Sequence, residues 1–382
     1  MKAATRLYLA RAIRDFGDGF VAVLLPVYLT TLGLDAFEVG VVATLALLGS
    51  ALTTLGVGLL GARFDQRVLL VVASALMVAT GLALAASSSH AAILLIAFVG
   101  TINPSAGSVS VFMPLEHAVL ARSARDAERT SIFARYSLIG ALAGAIGSLA
   151  AASPDVAVSF GMSSLVALKA MFVVYAVLGI AGGLVYWRIP AFENAAGDAP
   201  VGALGPSRRI VYGLAALFSV DSFAGGFAVQ SLIALWLFNS FGLSLAAAGL
   251  FFFWSGVFSA FSFPVAAWLS RRIGLVNTMV FTHIPSSLCL IAAALSPSSE
   301  LALGLLLVRA ALSQMDVPTR SSYVMAVVTP PERAAAASVT SVPRSLAASA
   351  SPVLAGAMFA AGYEAWPLII CGVLRFKYQF LC

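Results

Sequence analysis

The stretch RIPAFENAAGDAPVGALGPSRR, residues 188–209, is the longest polar interval in the chain. Pro190, Pro200 and Pro206 with Gly197 and Gly205 oppose a regular helix there, so it reads as a flexible linker. On both sides of it apolar runs recur at bilayer length. A hydrocarbon core about 30 Å thick takes roughly 20 helical residues at about 1.5 Å rise each. Six runs precede the linker, at about 14–33, 39–61, 68–86, 92–115, 133–152 and 160–187. Six follow it, at about 210–238, 245–269, 275–295, 301–327, 334–361 and from Trp366 onward. The expected domains are therefore 1–187 and 210–382, joined by 188–209.

Composition agrees. The 382 residues are 61% hydrophobic and 10% charged, with mean hydropathy +1.00, against about 45–50% and about 25% for a soluble domain. A soluble enzyme is excluded, and the fold class expected is an all-α polytopic membrane protein. The net charge of +6 does not point to nucleic acid. The longest basic blocks are pairs, Arg208 with Arg209 and Arg271 with Arg272, and each flanks an apolar run, where orientation signals sit. Basic residues gather on alternate connections: Arg6 to Arg14, Arg63 and Arg67, Arg122 to Arg135, Arg188 to Arg209, Arg271 and Arg272, Arg333 and Arg344, Arg375 and Lys377. The other connections carry Asp35, Glu38, His90, Asp155, Glu300 and Glu364. Both termini and the linker are thus expected in the cytoplasm.

Three widely spaced cysteines (Cys289, Cys371, Cys382) and three histidines (His90, His117, His283) offer no metal spacing or disulfide framework. No GxxxxGK[ST] loop occurs, so no ATP site is read and no cofactor is expected. The segment from Lys2 to Phe16 is charged and lacks a cleavage signature, so the first helix is expected to be retained. After Trp366 only about nine apolar residues precede Arg375, short of the roughly 20 that span. Helix 12 is short, or the chain is truncated, and truncation is the expectation. Abundant Ala and a preference for Arg over Lys suggest a bacterial chain, hence the inner membrane.

The two halves repeat each other. Phe16, Gly19 and Phe20 match Phe223, Gly226 and Phe227; Gly33 and Leu34 match Gly242 and Leu243; Arg63 matches Arg272. Pro114 matches Pro318, and Glu128 with Arg129 matches Glu332 with Arg333. The nearly constant offset points to duplication of a six-helix unit.

Two such halves, a central cytoplasmic linker and both ends inside resemble the major facilitator superfamily along nearly the whole chain. Gly58, Arg63 and Arg67 fit the family's loop between helices 2 and 3, while Ala62, Asp65 and Gln66 depart from it. Gly140, Gly144 and Gly147 resemble the helix 5 pattern of antiporter branches, with Ala145 in place of Pro; Ser351, Pro352 and Gly356 are related. The pairs at 128/129 and 332/333, the second after Pro330 and Pro331, look like those of drug-efflux-type members. The resemblance implies twelve transmembrane helices in two pseudo-symmetric six-helix bundles, working by alternating access as a monomeric proton antiporter with a small-molecule substrate. It also implies cytoplasmic gating residues, here Arg63, Arg67, Glu116, Arg272, Arg320, Glu332 and Arg333.

Ionisable residues inside the bilayer cost at least about 2.5–3.5 kcal/mol each and mark functional sites. Counting rise, Asp221 lies about 16 Å into helix 7 and Arg309 about 12 Å into helix 10, both mid-membrane. Asp316 and Asp18 fall in the inner third; Asp15, Glu116, His117 and Arg320 fall at the inner interface. Arg309, Ser313, Asp316 and Arg320 share one face of a continuous helix 10. Asp221 and Asp18 are expected partners for Arg309. Helix 4 carries Asn103, Gly107, Ser110, Pro114 and His117, with Pro104 and Pro114 as kink points. On helix 1, Arg11 and Arg14 are placed to pair with Asp15 and Asp18, the bland reading of both acids. Asp221 has no base near it in sequence and is the leading site residue. His283 reads as a packed or lipid-interface histidine. Phe227, Trp236 and the run Phe251 to Trp254 would wall an apolar pocket or simply pack. Gly140 with Gly144 and Gly179 with Gly183 read as helix-packing spacings.

The expected function is secondary transport, with proton-coupled export of a hydrophobic or cationic compound through Asp221, Asp316 and Asp18. The alternatives are transport of a small organic anion on Arg309, or a sensor on the same fold that moves nothing.

Overall fold

The computed structural model describes residues 3–60, 64–105, 110–123, 129–190, 205–329 and 332–379. These form sixteen helices joined by short turns. Before the linker come α1 (Ala3–Thr31), α2 (Ala36–Leu60), α3 (Gln66–Ala86), α4 (His90–Val99), α5 (Phe112–Ser123), α6 (Arg129–Ala150), α7 (Ser153–Ser159) and α8 (Ser164–Trp187). After it come α9 (Arg208–Gly226), α10 (Gln230–Phe241), α11 (Leu245–Ile273), α12 (Leu275–Ala294), α13 (Ser299–Ser313), α14 (Asp316–Val327), α15 (Arg333–Ala360) and α16 (Trp366–Gln379).

Three of the expected continuous runs are broken, each for a local reason. The run at 92–115 stops at Val99, where Gly100 closes the helix by donating to Ile96 O at 2.8 Å. Asn103 Oδ1 then accepts from Ser105 N at 2.9 Å, an Asx turn that competes with helix. The run at 210–238 stops at the Gly225–Gly226 pair, two residues of poor helix propensity. The run at 301–327 stops at Gln314 and Met315, because Pro318 has no N–H to offer the carbonyl of Gln314.

Seven helical stretches among the described residues are long and apolar enough to span a bilayer: 36–57, 66–86, 132–159, 164–187, 208–241, 245–273 and 275–294. The other expected spans fall short for identifiable reasons. α1 carries Arg11, Arg14, Asp15 and Asp18; α4 has 10 residues; α13 and α14 are separated by their break; α15 is rich in Ala and Ser; α16 has 14 residues.

Packing repeats across the linker. α1 lies against α6 and α8, and α9 lies against α15 and α16; α3 packs on α8, and α12 on α16. The repeat-related phenylalanines pack alike, Phe16 edge-on to Phe20 at 5.9 Å and Phe223 edge-on to Phe227 at 5.4 Å. Among the contacts between the helices before the linker and those after it, lesser ones join α1 to α10 and α11, and the two most extensive are α2 with α15 and α6 with α11. Both are made by small residues that let backbones approach. A Cβ on Gly40 would sit 2.6 Å from Pro352 O and 2.8 Å from Gly356 Cα; one on Gly256 would sit 2.8 Å from Ala145 Cβ. Thr44 Oγ1 adds a hydrogen bond across the first contact, accepting from Val353 N at 2.9 Å. The Gly179 to Gly183 spacing faces α3, with Gly179 against Val78 and Gly183 against Ser74. A Cβ on Gly249 of α11 would likewise sit 2.5 Å from Ser148 O of α6; Gly40 and Gly249 lie near the starts of α2 and α11, and Gly356 and Ser148 near the ends of α15 and α6.

Gly40→Val is expected to cost about 1–3 kcal/mol by overpacking against backbone that cannot yield. Gly56→Ala, whose Cβ meets nothing within 4 Å, should leave stability unchanged or slightly raised. Thermal unfolding of the two purified variants against the parent checks both.

Candidate functional site

Two buried charge networks occupy related places in the two repeats. In the first, Arg14 Nη1 lies 2.8 Å from Glu116 Oε2 and Arg14 Nη2 lies 3.3 Å from Asp15 Oδ1. Arg11 Nε sits 2.6 Å from Asp15 Oδ2, an ion-pair distance without hydrogen-bond geometry at that nitrogen. Glu116 is fully buried and also accepts from Tyr136 at 2.5 Å and Tyr186 at 2.7 Å. The guanidinium of Arg14 lies over Phe112, and that of Arg11 over Tyr136. This satisfies a carboxylate in the way burial requires, by cations and hydrogen bonds together.

The second network joins α9, α12, α14 and α16. Arg320 Nη2 lies 3.0 Å from Asp221 Oδ2 and also pairs with Asp316, while Arg375 Nε lies 3.4 Å from Asp221 Oδ1. His283 Nε2 lies 3.3 Å from Asp316 Oδ1 and 3.3 Å from the carbonyl of Ser313. Both neighbours are acceptors, so the ring proton is placed on Nε2. Its Nδ1 is buried with no hydrogen-bond partner.

The two networks are charge-exchanged images. Asp221 follows Arg14 by the same 207 residues that separate Phe223 from Phe16, and Arg320 follows Glu116 by the 204 that separate Pro318 from Pro114. One repeat therefore ties its first helix to the segment beyond the break with Arg14 and Glu116, the other with Asp221 and Arg320.

Several expectations change. Asp221 is not isolated, because the fold brings Arg320 and Arg375 to it from distant helices. Arg309 pairs with neither Asp221 nor Asp18; its electrostatic neighbours are Arg375 and the thiols of Cys371 and Cys289. The helix 10 break explains this, since Arg309 and Ser313 end α13 while Asp316 and Arg320 begin α14, so the stripe is not continuous. Glu116 and Arg320, expected at an interface gate, are buried ion-pair partners. Asp18 is not paired with Arg14. It is buried, and its hydrogen bond comes from Tyr175 OH at 3.3 Å. That hydroxyl also lies 3.1 Å from Thr101 O, in the break after α4. Asn103 lies in the same break, buried.

Of the expected gating residues, Arg63 lies outside the described residues, as does the side chain of Arg333. Arg67 stacks over Trp187 and Arg272 over Trp268. Glu332 accepts from Thr329 Oγ1 at 2.5 Å, Ser207 Oγ at 2.7 Å and Gly205 N at 2.5 Å, tying the linker's end to the start of α15. These hydrogen bonds, Thr329's foremost, hold its carboxyl low, at about 2. Phe227, Trp236, Phe251 and Phe252 are core residues, and Trp254 faces outward. His283, Tyr136, Tyr175 and Tyr186 were not read as site residues. A signal for His283 existed, since Thr278, Thr282, His283 and Ser286 recur at helical spacing and are all buried.

Removing one member of a buried pair costs about 3–5 kcal/mol, more than removing both. Glu116→Gln should therefore lower stability by about that amount, and adding Arg14→Met should recover part of the loss. Denaturant or thermal unfolding of the single and double variants measures it.

The chain is similar to an uncharacterized membrane protein of Saccharomyces cerevisiae, YJR124C, at 22% identity over 95% of this chain and 89% of that protein. Its fold matches a bacterial homolog of the human lysosomal transporter Spinster in an inward-facing, unoccupied conformation. That match has TM-score 0.77 and 16% identity, covering 99% of this chain and 96% of the other. The nucleoside transporter NupG matches at TM-score 0.75 and 14% identity, covering 100% and 98%. A bacterial homologue of the iron transporter ferroportin, also inward-facing, matches at TM-score 0.69 and 14% identity, covering 99% and 98%. The family model described as Major Facilitator Superfamily matches residues 7–208, more than half of the chain. This multi-pass membrane protein, with its paired networks on repeated helices, belongs to the Major Facilitator Superfamily.

Proposed function

We propose that the chain is a proton-coupled exporter of a hydrophobic or cationic small molecule, working by alternating access. Its twelve membrane helices form two pseudo-symmetric bundles, 1–187 and 210–382, with α4/α5, α9/α10 and α13/α14 each counting as one interrupted helix. The linker 188–209 and both termini face the cytoplasm of a bacterium, and the protein acts as a monomer in the inner membrane. Placement of the arginines supports this orientation. With the close contacts at Gly40 with Gly356 and Gly249 with Ser148 on the far side, the conformation is inward-facing.

Asp18 carries the proposal. Every other carboxylate in the two networks has a cation within ion-pair distance, whereas Asp18 has a tyrosine hydroxyl. An uncompensated charge in a low-dielectric interior costs several kcal/mol, and a proton or a cationic group of the substrate removes that cost. Occupancy by one or the other makes the two exclusive, which is the logic of exchange. Asp221 and Asp316, already neutralised by Arg320 and Arg375, with His283 Nε2 beside Asp316, act as positioning residues. The break after α4 lies beside Asp18 through Tyr175 and Thr101, and freed backbone is tolerated at membrane depth where it lines a cavity.

Proteoliposomes with an imposed proton gradient and a trapped pH dye test the reading. Substrate-dependent proton movement is expected in the parent chain and a loss of at least about tenfold in Asp18→Asn, the size of one buried charge contact. Movement of protons by Asp18→Asn at the parent's rate would overturn the assignment.

A further inference from the structure

The hydroxyl that holds Asp18 also leads away from it. Tyr175 OH lies 3.3 Å from Asp18 Oδ1, 3.1 Å from Thr101 O and 3.2 Å from Thr101 Oγ1. Thr101 in turn lines a cleft of about 10 Å3, room for about one water molecule. The other hydroxyl-bearing walls of that cleft are Ser50 and Thr53 of α2 and Ser110 before α5. Thr53 is exposed and Ser50 and Ser110 are partly so, which brings the cleft to the surface of the helices, whereas Asp18 and Tyr175 are buried.

The neighbouring residues hold this line in place. Gly17 clears room for the tyrosine ring on α1, since a Cβ there would sit 3.0 Å from Tyr175 Cδ2. Phe20 packs edge-on to the same ring at 6.5 Å. On the other side, Thr101 N donates to Thr80 Oγ1 at 3.2 Å, and Gly100 lets the break lie against α3, since a Cβ there would sit 2.7 Å from Thr80 Oγ1. The charged groups nearest Asp18 are Arg11, Arg14 and Asp15 on α1 and Glu116 on α5, and they are engaged with one another. A phenol has a single proton to donate. With Asp18 ionised, Tyr175 donates to Oδ1 and accepts from Thr101 Oγ1. With Asp18 protonated, the carboxyl donates to Tyr175, whose own proton turns to Thr101 O.

Resting on the reading of Asp18 as the proton carrier, we infer that Tyr175 and Thr101 relay the proton between Asp18 and the cleft. On loading, a protonated water in the cleft gives a proton to Thr101 Oγ1, which passes its own to the Tyr175 oxygen, which passes its own to Asp18 Oδ1. Each hydroxyl ends with one proton, the water is left neutral, and the carboxylate becomes a carboxylic acid. Rotation of the two hydroxyls resets the line, and release runs in reverse. A carboxylate this deep thereby exchanges protons without a water-filled channel beside Arg14 and Glu116, whose ion pair such water would weaken.

Time-resolved infrared spectroscopy of the full chain in proteoliposomes, after photolysis of a caged proton, tests the relay without any transported compound. The parent should show the band of a newly protonated carboxyl, and Asp18→Asn should lack it. Tyr175→Phe keeps the ring and its packing, and should reach the parent's final amplitude at least about tenfold more slowly. Thr101→Val should be slowed likewise, while Thr101→Ser, which keeps the hydroxyl, should retain the parent's rate; this pair needs no tyrosine variant to fold. A tyrosine that only packs would alter the unfolding temperature and leave the rate alone. The parent's rate in Tyr175→Phe or in Thr101→Val overturns the relay and leaves Asp18 as the carrier, and Thr101→Ser as slow as Thr101→Val does the same. A carboxyl band that persists unchanged in Asp18→Asn overturns the reading of Asp18, and the relay with it.

Discussion

The cost of burying charge in a low-dielectric interior governs this structure. Arg14 with Glu116, and Asp221 with Arg320, each close an ion pair between a repeat's first helix and the segment beyond a break. Neither half of such a pair is tolerable without the other. The pairs therefore fix α5 against α1 and α14 against α9, although each segment of 12 residues is too short to span a bilayer alone. The tyrosines around Glu116 and the histidine beside Asp316 complete the hydrogen bonding that the ions require. The polarity of the pair is exchanged between repeats while its position is kept. What the duplication conserves is thus a neutral, buried tie, and either order of charges supplies it.

Glycine and alanine set the second constraint. Helices in lipid gain little from burying apolar side chains against each other, so close approach supplies the attraction. Gly40 against Gly356 and Gly256 against Ala145 bring α2 to α15 and α6 to α11. Pro352 contributes from the same helix, since it cannot donate to the carbonyl of Ala348, which instead faces Gly226 of α9. Within each repeat, ions hold helices together; between repeats, small residues let smooth surfaces meet. That division suits a molecule whose halves move as units, because a close contact of small residues separates at little electrostatic cost.

The sequence disclosed the apolar runs and the repeat, because each depends on local composition or on a fixed offset. It disclosed which residues are charged and deep, but not their partners. Asp221 looks isolated along the chain because its cations arrive from Arg320 and Arg375, 99 residues away in the first case, and only folding juxtaposes them. The helix 10 stripe failed because a helical wheel assumes an unbroken helix, and Pro318 breaks it. The kink points expected at Pro104 and Pro114 anticipated trouble in helix 4, yet the interruption is wider, since Gly100 and the Asx turn at Asn103 end α4 well before Pro114. Arg375, read as a topological charge, was legible only as a position near an interface; its role beside Asp221 depends on how α16 packs on α9.

The central claim is that the two repeats move as units about the α2–α15 and α6–α11 contacts while each ion-paired interior stays intact. Pulsed electron resonance distances between spin labels at Met162 and Tyr363, in a background lacking Cys289, Cys371 and Cys382, address it directly. Both labelled positions are exposed, one in the turn before α8 and one in the turn after α15. The account predicts two distance populations whose ratio shifts with pH and substrate, while a pair placed within one repeat, at Phe37 and Met162, keeps one distance throughout. A single unchanging distance between the repeats, or an equal shift within one repeat, would contradict it.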